Sequence, residues 1–249
     1  MKLSTMKNIL LTAILLIGLF SCEDEKINAD RRLLIKDIVD VTDNSKLSFT
    51  YNLDSTINRI VKTSYYSIHT WDFKYEMDRL EKISRTVRNI ENPDPQFTII
   101  ESDDTIHFNY GSNSTIASIK VRSVNTGELV EAREYKYATD NSIKEIIYFN
   151  YQHGFTETFE LNFTNQNLTS LNSIPIQYDD SKNPIYELGL EYKDFYWGDF
   201  AFGTYFSKNN VIKKDDWEYV ISTNDYNYPT RIQAVSYERV WGDRVFSYY

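Results

Sequence analysis

The chain has few cysteines, prolines, glycines and histidines, and each shortage argues against a class of protein. Its 249 residues include 1 cysteine, 5 prolines, 8 glycines and 3 histidines. A lone cysteine cannot form an internal disulfide, and so little proline and glycine does not fit a disordered or collagen-like chain. Basic residues number 27 against 36 acidic ones. This balance argues against binding nucleic acid or an anionic lipid surface.

The apolar segment at residues 9–20 is too short for a bilayer span, which needs ~20 residues. It follows Lys2 and Lys7 and therefore has the form of a secretory signal peptide. The segment ends in Leu-Phe-Ser-Cys at residues 19–22, which is similar to a bacterial lipobox. We therefore predict that Cys22 is lipidated and anchors the chain to a membrane. The alternatives are an ordinary signal peptide with an incidental cysteine, or a buried free cysteine.

Acidic residues follow the predicted anchor directly, in the sequence Glu-Asp-Glu-Lys at residues 23–26. This cluster resembles the surface-export signal of Bacteroidetes lipoproteins, although a solvated spacer would have the same composition. We predict a signal peptide over residues 1–21, a lipidated acidic tether over 22–31 and a single β domain over 32–249. The predicted location is the outer membrane, with the cell surface favoured over the periplasmic face.

Internal repetition is the most informative feature of the predicted domain. In each full copy two aromatic residues lie two apart, and an Asp or Asn and two apolar residues then follow at intervals of three. The full copies are Phe49, Tyr51, Asp54, Ile57, Ile60; Phe108, Tyr110, Asn113, Ile116, Ile119; and Tyr135, Tyr137, Asp140, Ile143, Ile146. A shorter copy is Phe73, Tyr75, Asp78, Leu80, Ile83, and a looser one is Phe163, Asn165, Leu168, Leu171.

Each copy predicts a β-hairpin. The two aromatic side chains lie on one face of a strand. The Asp or Asn suits a reversal, because its side chain bonds local backbone and tolerates left-handed φ. The apolar residues then begin the return strand. One hairpin cannot bury its face alone, so neighbours must stack or close. The sequence predicts an all-β, antiparallel β-meander of roughly ten or more strands, curled or closed like a barrel.

Other segments refine this prediction. Residues 34–41, 96–101 and 119–124 have strand patterns, and strand patterns continue over 191–249. Residues 92–95 and 178–184 are predicted breaks, since they are rich in Pro, Asp, Asn or Ser. The helical spacing within 76–89 is outweighed by the repeat. Counted back from residue 249, alternate positions do not stay apolar as in the last strand of a membrane barrel, so we expect the wall to face water.

Three further motifs lie in the second half of the chain. They are Ile-Gln-Tyr-Asp-Asp-Ser-Lys-Asn-Pro at 176–184, Ser-Lys-Asn-Asn-Val at 207–211 and Tyr-Asn-Tyr-Pro-Thr at 226–230. Together they resemble the signatures of an uncharacterised Bacteroidetes lipoprotein family with a porin-like β fold, and the hairpins resemble those of YD-repeat proteins. Where the family usually has a glycine before the Tyr-Pro step, this chain has Asn227. The resemblance implies a fold and an envelope location, and it brings no known activity or functional residues.

Catalytic and metal-binding patterns are scarce. The chain has no nucleophile elbow, P-loop or dinucleotide fingerprint, so we predict no catalytic residues and no cofactor. Adjacent acidic pairs could bind calcium or act as a glycosidase pair, but we interpret them as turn residues. These pairs are Asp103 with Asp104 and Asp179 with Asp180. The histidines lack metal-ligand spacing, and no metal site is predicted; they are His69, His107 and His153.

Tryptophan and tyrosine could form a binding platform, because their rings combine apolar area with a polar tip. The tentative binding surface consists of Trp71, Trp197, Trp217 and Trp241. Trp197 is the preferred member, since the following glycine would leave it on an accessible loop. The alternative is that these rings only pack the sheet.

The function that best fits these features is a non-enzymatic envelope lipoprotein that binds a glycan or an envelope protein, or acts as a structural accessory. An envelope glycan hydrolase and a carrier of lipid or another hydrophobic ligand are the alternatives. A binder should have an exposed aromatic cluster on one face. A hydrolase should have two carboxylates in a cleft, and a carrier should have a continuous apolar cavity.

Overall fold

The structure is a computed structural model that describes residues 32–89, 100–188 and 206–249. Within these ranges the chain forms sixteen strands and one 3-10 turn, Tyr186–Leu188. The strands are β1 Ile35–Asp40, β2 Ser45–Tyr51, β3 Ile57–Thr63, β4 Ser67–Glu76, β5 Arg79–Asn89, β6 Ile100–Tyr110, β7 Ile116–Ser123, β8 Leu129–Tyr137, β9 Ile143–Asn150, β10 Phe155–Thr164, β11 Asn167–Leu171, β12 Ile174–Lys182, β13 Asn209–Lys214, β14 Trp217–Thr223, β15 Pro229–Ser236 and β16 Arg239–Tyr248.

Each strand pairs antiparallel with the next one in the sequence, and the sheet closes into a barrel. Closure is made by β1, which pairs with β2 on one side and β16 on the other: Ile38 lies opposite both Leu47 and Phe246. Beyond the strands, the Tyr249 N–H donates to the Leu34 carbonyl at 3.0 Å. The predicted all-β meander and its barrel-like closure are therefore confirmed, with more strands than the predicted minimum.

Alternation along each strand puts one set of side chains inside the barrel. In β2, Ser45, Leu47 and Phe49 are buried, whereas Lys46 and Thr50 are exposed. The buried apolar residues of all the hairpins join in one core cluster. The paired aromatics of the repeat, together with the isoleucines and leucines that follow each turn, lie in or against this core. The repeat therefore encodes the inner face of the barrel.

The outer face carries charge. Ion pairs join neighbouring strands there, and they include Arg59 with Asp72, Lys74 with Glu81 and Lys136 with Glu145. Exposed pairs of this kind add little stability. Charged side chains destabilise a barrel wall that faces lipid. The charged outer face of this barrel therefore suits contact with water. None of the described residues forms a helix long and apolar enough to cross a membrane.

Several of the repeated turns share one hydrogen-bonded form. Between β2 and β3, the Ser55 N–H donates to the Asn52 carbonyl at 3.0 Å, and the Asn52 N–H donates to the Thr56 carbonyl at 2.8 Å. This is a type I turn followed by a left-handed residue and a bulge, and Ser55 has a φ of 68°. The same arrangement recurs with Ser114, Asn141 and Asn227 as the left-handed residues.

The Asp or Asn of the repeat stabilises these turns through its side chain. Asp54 Oδ1 accepts from the Thr56 N–H at 3.0 Å and from the Thr56 hydroxyl at 2.6 Å, and Asn113 and Asp140 bond the residue two positions later in the same way. The predicted local bonding is thus confirmed. In these turns, however, the residue with the left-handed φ is the one after the Asp or Asn. The side-chain hydrogen bond of the Asp or Asn spans this residue, since it joins positions two apart.

The shorter and looser copies use two-residue turns instead. Met77 and Asp78 both have positive φ, and so do Asn165 and Gln166. Two consecutive left-handed residues are typical of the tight hairpin turn whose twist matches that of the flanking strands. The longer turns therefore have one residue more than the turn of the shorter copy, and this extra residue is the left-handed residue at the bulge.

One predicted break is wrong. Residues 178–184 were expected to interrupt the sheet, yet β12 continues to Lys182. Asp179 uses Oδ1 for the Ser181 N–H and Oδ2 for the Ser181 hydroxyl, and the pairing with β13 shifts register there. The side-chain bonds that suggested a turn are satisfied inside a bulged strand. The break at 92–95 lies outside the described residues, and residues 79–89 form a strand as the repeat predicted.

Five tyrosines tie their strands to the strand before them. Each hydroxyl donates to the carbonyl of the first or second residue of that preceding strand. These bonds are Tyr51 to Ile35 (2.9 Å), Tyr110 to Leu80 (3.0 Å), Tyr137 to Ile116 (2.8 Å), Tyr248 to Pro229 (2.7 Å) and Tyr178 to Leu168. All lie at one end of the barrel, which we call the tyrosine end. The opposite end, with the turns at 41–44, 64–66, 124–128, 151–154, 215–216 and 237–238, is called the far end.

We expect Tyr51→Phe to lower the free energy of unfolding by about 1–3 kcal/mol, because the part-buried Ile35 carbonyl would lose its hydroxyl partner. Tyr65→Phe is the matched control, since Tyr65 is 72% exposed and its loss should cost less than about 0.5 kcal/mol. Urea unfolding of both variants measures the difference. Equal stabilities would show that the tyrosine bonds are not structural.

Candidate ligand-binding site

The predicted tryptophan surface is only partly assembled. Trp217 and Trp241 meet at the far end, with ring centroids 6.5 Å apart in an edge-to-face contact, and the Trp241 Nε1–H donates to the Ser236 carbonyl at 3.0 Å. Trp71 does not share this surface. It is 5% exposed, because it occupies an inward position of β4. Trp197 lies outside the described residues, as does the predicted anchor Cys22.

Other exposed aromatic side chains lie in separate far-end turns and in the strand ends beside them. Together with the tryptophan pair, the set comprises Tyr65, Tyr66, Tyr151, Phe155, Trp217, Tyr237 and Trp241. Among these described residues, ring contacts join Trp217 with Trp241 and Tyr65 with Tyr66, and the exposed aromatic cluster expected of a binding protein stays a prediction. These rings lie on separate turns, and the described pairs among them do not enclose a cavity.

A cavity of about 550 Å³ lies at the tyrosine end instead. This volume falls within the range of small-molecule sites. Two consecutive repeat turns, at 111–115 and 138–142, form one side, and the 165–166 turn lies beside them. Tyr186 and Phe206 form the other side. We call this cavity the cleft.

The cleft combines aromatic walls with a polar edge. The aromatic residues that line it are Tyr110, Tyr137, Phe163, Tyr186 and Phe206, and the polar ones include Asp140, Asn141, Ser142, Asn165 and Gln166. The Tyr110 and Tyr137 hydroxyls already donate to strand carbonyls. These two tyrosines therefore offer a ligand chiefly their ring surfaces.

Hydrogen-bonding capacity comes from the turn residues. Asp140 Oδ1 accepts from the Ser142 N–H and hydroxyl, so Oδ2 remains able to accept from a ligand. Asn113 Nδ2 donates to Asn141 Oδ1 at 3.4 Å, which couples the two turns and leaves the Asn141 amide nitrogen as a donor. The side-chain amide of Gln166 makes no hydrogen bond within the described part of the chain, so it is also available.

The opposite side of the cleft is positioned by a buried asparagine. Asn183 Oδ1 accepts from the Ile185 N–H at 3.0 Å and from the Tyr186 N–H at 3.4 Å, which starts the 3-10 turn. Asn183 Nδ2 donates to the Ser207 carbonyl at 3.0 Å. One side chain thus holds both Tyr186 and the segment that carries Phe206.

A chain of hydrogen bonds continues into the sheet. The Leu168 N–H donates to Ser207 Oγ at 3.0 Å, Ser207 Oγ donates to the Tyr178 hydroxyl at 2.8 Å, and Tyr178 donates to the Leu168 carbonyl. Burial raises the pKa of Tyr178 to about 12, so its hydroxyl stays neutral and can donate. Because every member has a partner, this wall is rigid.

The three motifs of the second half of the chain meet at this wall. Asn210 Nδ2 donates to Ser181 Oγ at 2.8 Å and to the Lys182 carbonyl at 2.7 Å, which joins the second motif to the first. Asn227 Nδ2 donates to the Asp180 carbonyl at 2.9 Å and joins the third. Residues far apart in sequence therefore form one buried polar corner, and this corner accounts for the motifs as structural features.

Charge in the cleft comes from Asp140. The hydrogen bonds from Ser142 lower the pKa of Asp140 below its ordinary value. A general acid needs the opposite shift, so that it holds a proton near neutral pH. Arg79 lies beside the cleft, where it bonds Ser114 Oγ at 2.8 Å and stacks on the Tyr110 ring at 5.5 Å. Asp140 is the only carboxylate among the described residues that line the cleft.

The other candidate groups of the sequence lie elsewhere. Both acidic pairs are in strands, β6 and β12, and not in turns as predicted. Asp104 points inward and bonds Arg85, and Asp179 bonds Ser181. His69 bonds Ser67 Oγ through Nε2 at 2.9 Å and stacks on Trp71. Across the described ranges, no group of three potential metal ligands comes together.

Sequence reasoning treated the turn residues of the repeat as structural only and missed the cleft. A signal was present, because a meander puts alternate turns at one end, so consecutive repeat turns must be neighbours. Tyr186 and Phe206 had no such signal. Their position depends on the bonds made by Asn183 and Ser207.

The fold and site thus define a closed, up-and-down β-barrel with a cleft at one end. No family model matches the sequence, and no curated protein matches it. The solved structures that are similar include a porin-like protein from Bacteroides uniformis (9% identity, TM-score 0.43, covering 86% of this chain and 96% of that one) and one from Bacteroides vulgatus (12%, 0.43, 87% and 99%). The suggested lipoprotein family and the link to YD-repeat proteins stay predictions.

We expect Ser142→Ala to raise the pKa of Asp140 towards its ordinary value, because the Ser142 side-chain hydrogen bond is the largest cause of the lowered pKa. Carboxyl NMR titration of Asp140 in both proteins measures the change. Ser114→Ala is the control, since Ser114 bonds Arg79 and not Asp140. An Asp140 pKa that is the same in wild type and Ser142→Ala would contradict the assigned bond.

Proposed function

We propose that this chain is a non-catalytic lipoprotein of the bacterial cell envelope, anchored through Cys22, and that its barrel binds a neutral glycan in the cleft. The observation that carries the ligand class is the composition of the cleft. Flat aromatic walls face an edge of carboxylate and amide groups. Sugars combine apolar C–H faces with hydroxyl groups, so they complement both kinds of surface.

Each part of a sugar has a partner among the described residues. The rings of Tyr137 and Tyr186 can pack against C–H faces, since aromatic side chains supply large contact area. Asp140 Oδ2 can accept from hydroxyl groups, and a charged acceptor strengthens such bonds. The amides of Asn141 and Gln166 can both donate and accept.

Neutral glycans are favoured over acidic ones by charge. Asp140 is ionised at neutral pH, as an aspartate is even at its ordinary pKa, and the lowered pKa keeps it charged in more acidic solution. A sugar carboxylate or sulfate would be repelled by it. The Arg79 guanidinium already lies on the Tyr110 ring and bonds Ser114. It therefore stabilises the wall of the cleft.

A binding role is favoured over hydrolysis by the carboxylate content of the cleft. Glycoside hydrolysis uses two carboxyl groups on either side of the bond that breaks. The described residues of the cleft supply Asp140, whose bonds to Ser142 commit one oxygen to the turn. A carrier is less well supported, since the edge of the cleft is polar and the barrel interior is filled by the side chains of the core cluster.

The cleft is tested with an array of neutral oligosaccharides and their uronic acid counterparts. We expect neutral sugars to bind, and Tyr186→Ala to weaken their binding about tenfold, or ~1.4 kcal/mol, because one aromatic wall is removed. Asp140→Asn should improve the relative binding of the acidic counterparts.

Trp241→Ala is the matched control, since it removes an exposed ring at the far end and should leave sugar binding unchanged. Calorimetry on the strongest array ligand gives the affinities of all three variants and the wild type. Loss of binding in Trp241→Ala with no effect of Tyr186→Ala would move the site to the far end.

The anchor is tested independently with Cys22→Ala in the full-length precursor. We expect the wild type to partition with membranes and the variant to be released, because the thioether to lipid cannot form without the cysteine sulfur. Detergent phase separation and metabolic labelling with a fatty acid measure this. A labelled or membrane-bound variant would refute lipidation at Cys22.

A further inference from the structure

Strand β10, Phe155–Thr164, changes its paired neighbour along its length. It pairs with β9 from Phe155 to Glu160. On the other side, β11 pairs with β10 only from Leu161 to Thr164. The β11–β12 hairpin turns back at Asn172 and Ser173, both with positive φ. The half of β10 nearer the far end, residues 155–160, therefore extends beyond β11 and forms an open sheet edge.

The direction of the backbone groups on this edge follows from Glu160. Its carbonyl accepts from the Asn172 N–H at 2.9 Å, and its own N–H donates to Asn172 Oδ1 at 2.8 Å. The N–H and C=O of Glu160 thus point away from β9. In an antiparallel ladder alternate residues point the same way, so Thr158 and Thr156 also direct their N–H and C=O to the open side.

These backbone groups are accessible. Residues 155–158 are all exposed, and among the residues that the structure describes no hydrogen bond joins Thr156 or Thr158 to a group on the open side. Asn172 ends the ladder, because its side-chain oxygen acts in place of a strand carbonyl. The next ladder positions, at Thr158 and Thr156, remain unfilled.

Side chains along the edge define what could pair with it. The inward row is Phe155, Glu157 and Phe159, and the outward row is Thr156, Thr158 and Glu160. On the inner face, the nearest charged groups across the sheet are Glu131 and Arg133 of β8, and Arg133 lies over the Tyr148 ring at 5.4 Å. The edge thus presents a carboxylate between two aromatic rings on one face, and hydroxyls with a carboxylate on the other.

We propose that the open edge of β10 binds an extended polypeptide segment by β-strand addition. The backbone of the segment bonds Thr156 and Thr158, and a basic side chain flanked by apolar ones meets Glu157, Phe155 and Phe159. Strand addition takes affinity from main-chain bonds and specificity from alternate side chains. This interaction is separate from glycan binding, since the cleft is at the tyrosine end.

Charge selects a basic partner over a second copy of this chain. Two β10 edges paired with each other would place Glu157 and Glu160 against like charges, which destabilises cross-strand pairs. An inward-pointing charge is also a common protection against edge-to-edge association. A lysine or arginine in the partner removes this penalty and gains a cross-strand ion pair.

The test uses two fluorescent heptapeptides, Thr-Val-Thr-Lys-Thr-Val-Thr and the same sequence with Glu in place of Lys. We expect the Lys peptide to bind at least about tenfold more tightly than the Glu peptide in a polarisation titration. Hydrogen exchange should be fast at the Thr156 and Thr158 amides of the free protein, and slow when the Lys peptide is bound.

Thr158→Pro removes the outward-facing N–H without removing a bond to β9, so the barrel should still fold. We expect this variant to lose Lys-peptide binding about tenfold or more, whereas the matched Thr158→Val variant, which keeps the N–H, should bind like the wild type. The circular dichroism spectra of both variants report folding. Sedimentation should show a monomer.

Several outcomes would overturn the proposal. These are no binding of the Lys peptide, equal binding of the two peptides, or undiminished binding by a folded Thr158→Pro variant. Slow exchange at Thr156 and Thr158 in the free monomer would show that the chain already covers its own edge. Sedimentation as a dimer that Thr158→Pro dissociates would assign the edge to a second copy.

Discussion

The constraint on which the structure depends is that no single hairpin can bury its own apolar face. Each repeat supplies two inward aromatics and the aliphatic residues that follow the turn, and these side chains leave water only when the sheet curls until β1 reaches β16. Closure also pairs the backbone groups of the first and last strands, which would otherwise be sheet edges. This requirement is met at β1, where Ile38 lies opposite Leu47 of β2 and Phe246 of β16. The repeat supplies the apolar side chains, and closure of the barrel is what buries them.

Closure is supported by polar contacts as well as by the apolar core. At the tyrosine end, five tyrosine hydroxyls each satisfy a carbonyl of the preceding strand, so the strands that carry them are fastened to their predecessors. Towards the far end, the buried pair Arg244–Asp40, at 2.8 Å, joins β16 to β1. Such a pair costs desolvation and adds specificity more than stability. It therefore favours this strand order over a shifted one.

The two ends of the barrel differ in what they can bind. The tyrosine end has a cleft, because two repeat turns face a segment fixed by Asn183 and Ser207. The far end has no such segment among the described residues, and its exposed aromatic rings lie on separate turns. Its distinctive feature is the edge of β10, which exists because β11 is short and the chain turns back at Asn172 and Ser173. One repeat that departs from the others in length thus produces an open edge in a sheet that is otherwise closed.

Much of the fold could be predicted from residue pattern. Period-two alternation, Asp54 or Asp140 with its following hydroxyl residue, and the repeated aromatics act over a few residues, so sequence alone determined that the chain is an antiparallel hairpin meander with one apolar face. Residues 178–184 were misread, since the same Asp–Ser bonds occur in a turn and in a bulged strand. Only the tertiary structure decided the number of strands, the interior place of Trp71 and the cleft. Each depends on contacts between residues far apart in the chain, such as Asn183 with Ser207, and local pattern does not encode which distant groups will meet.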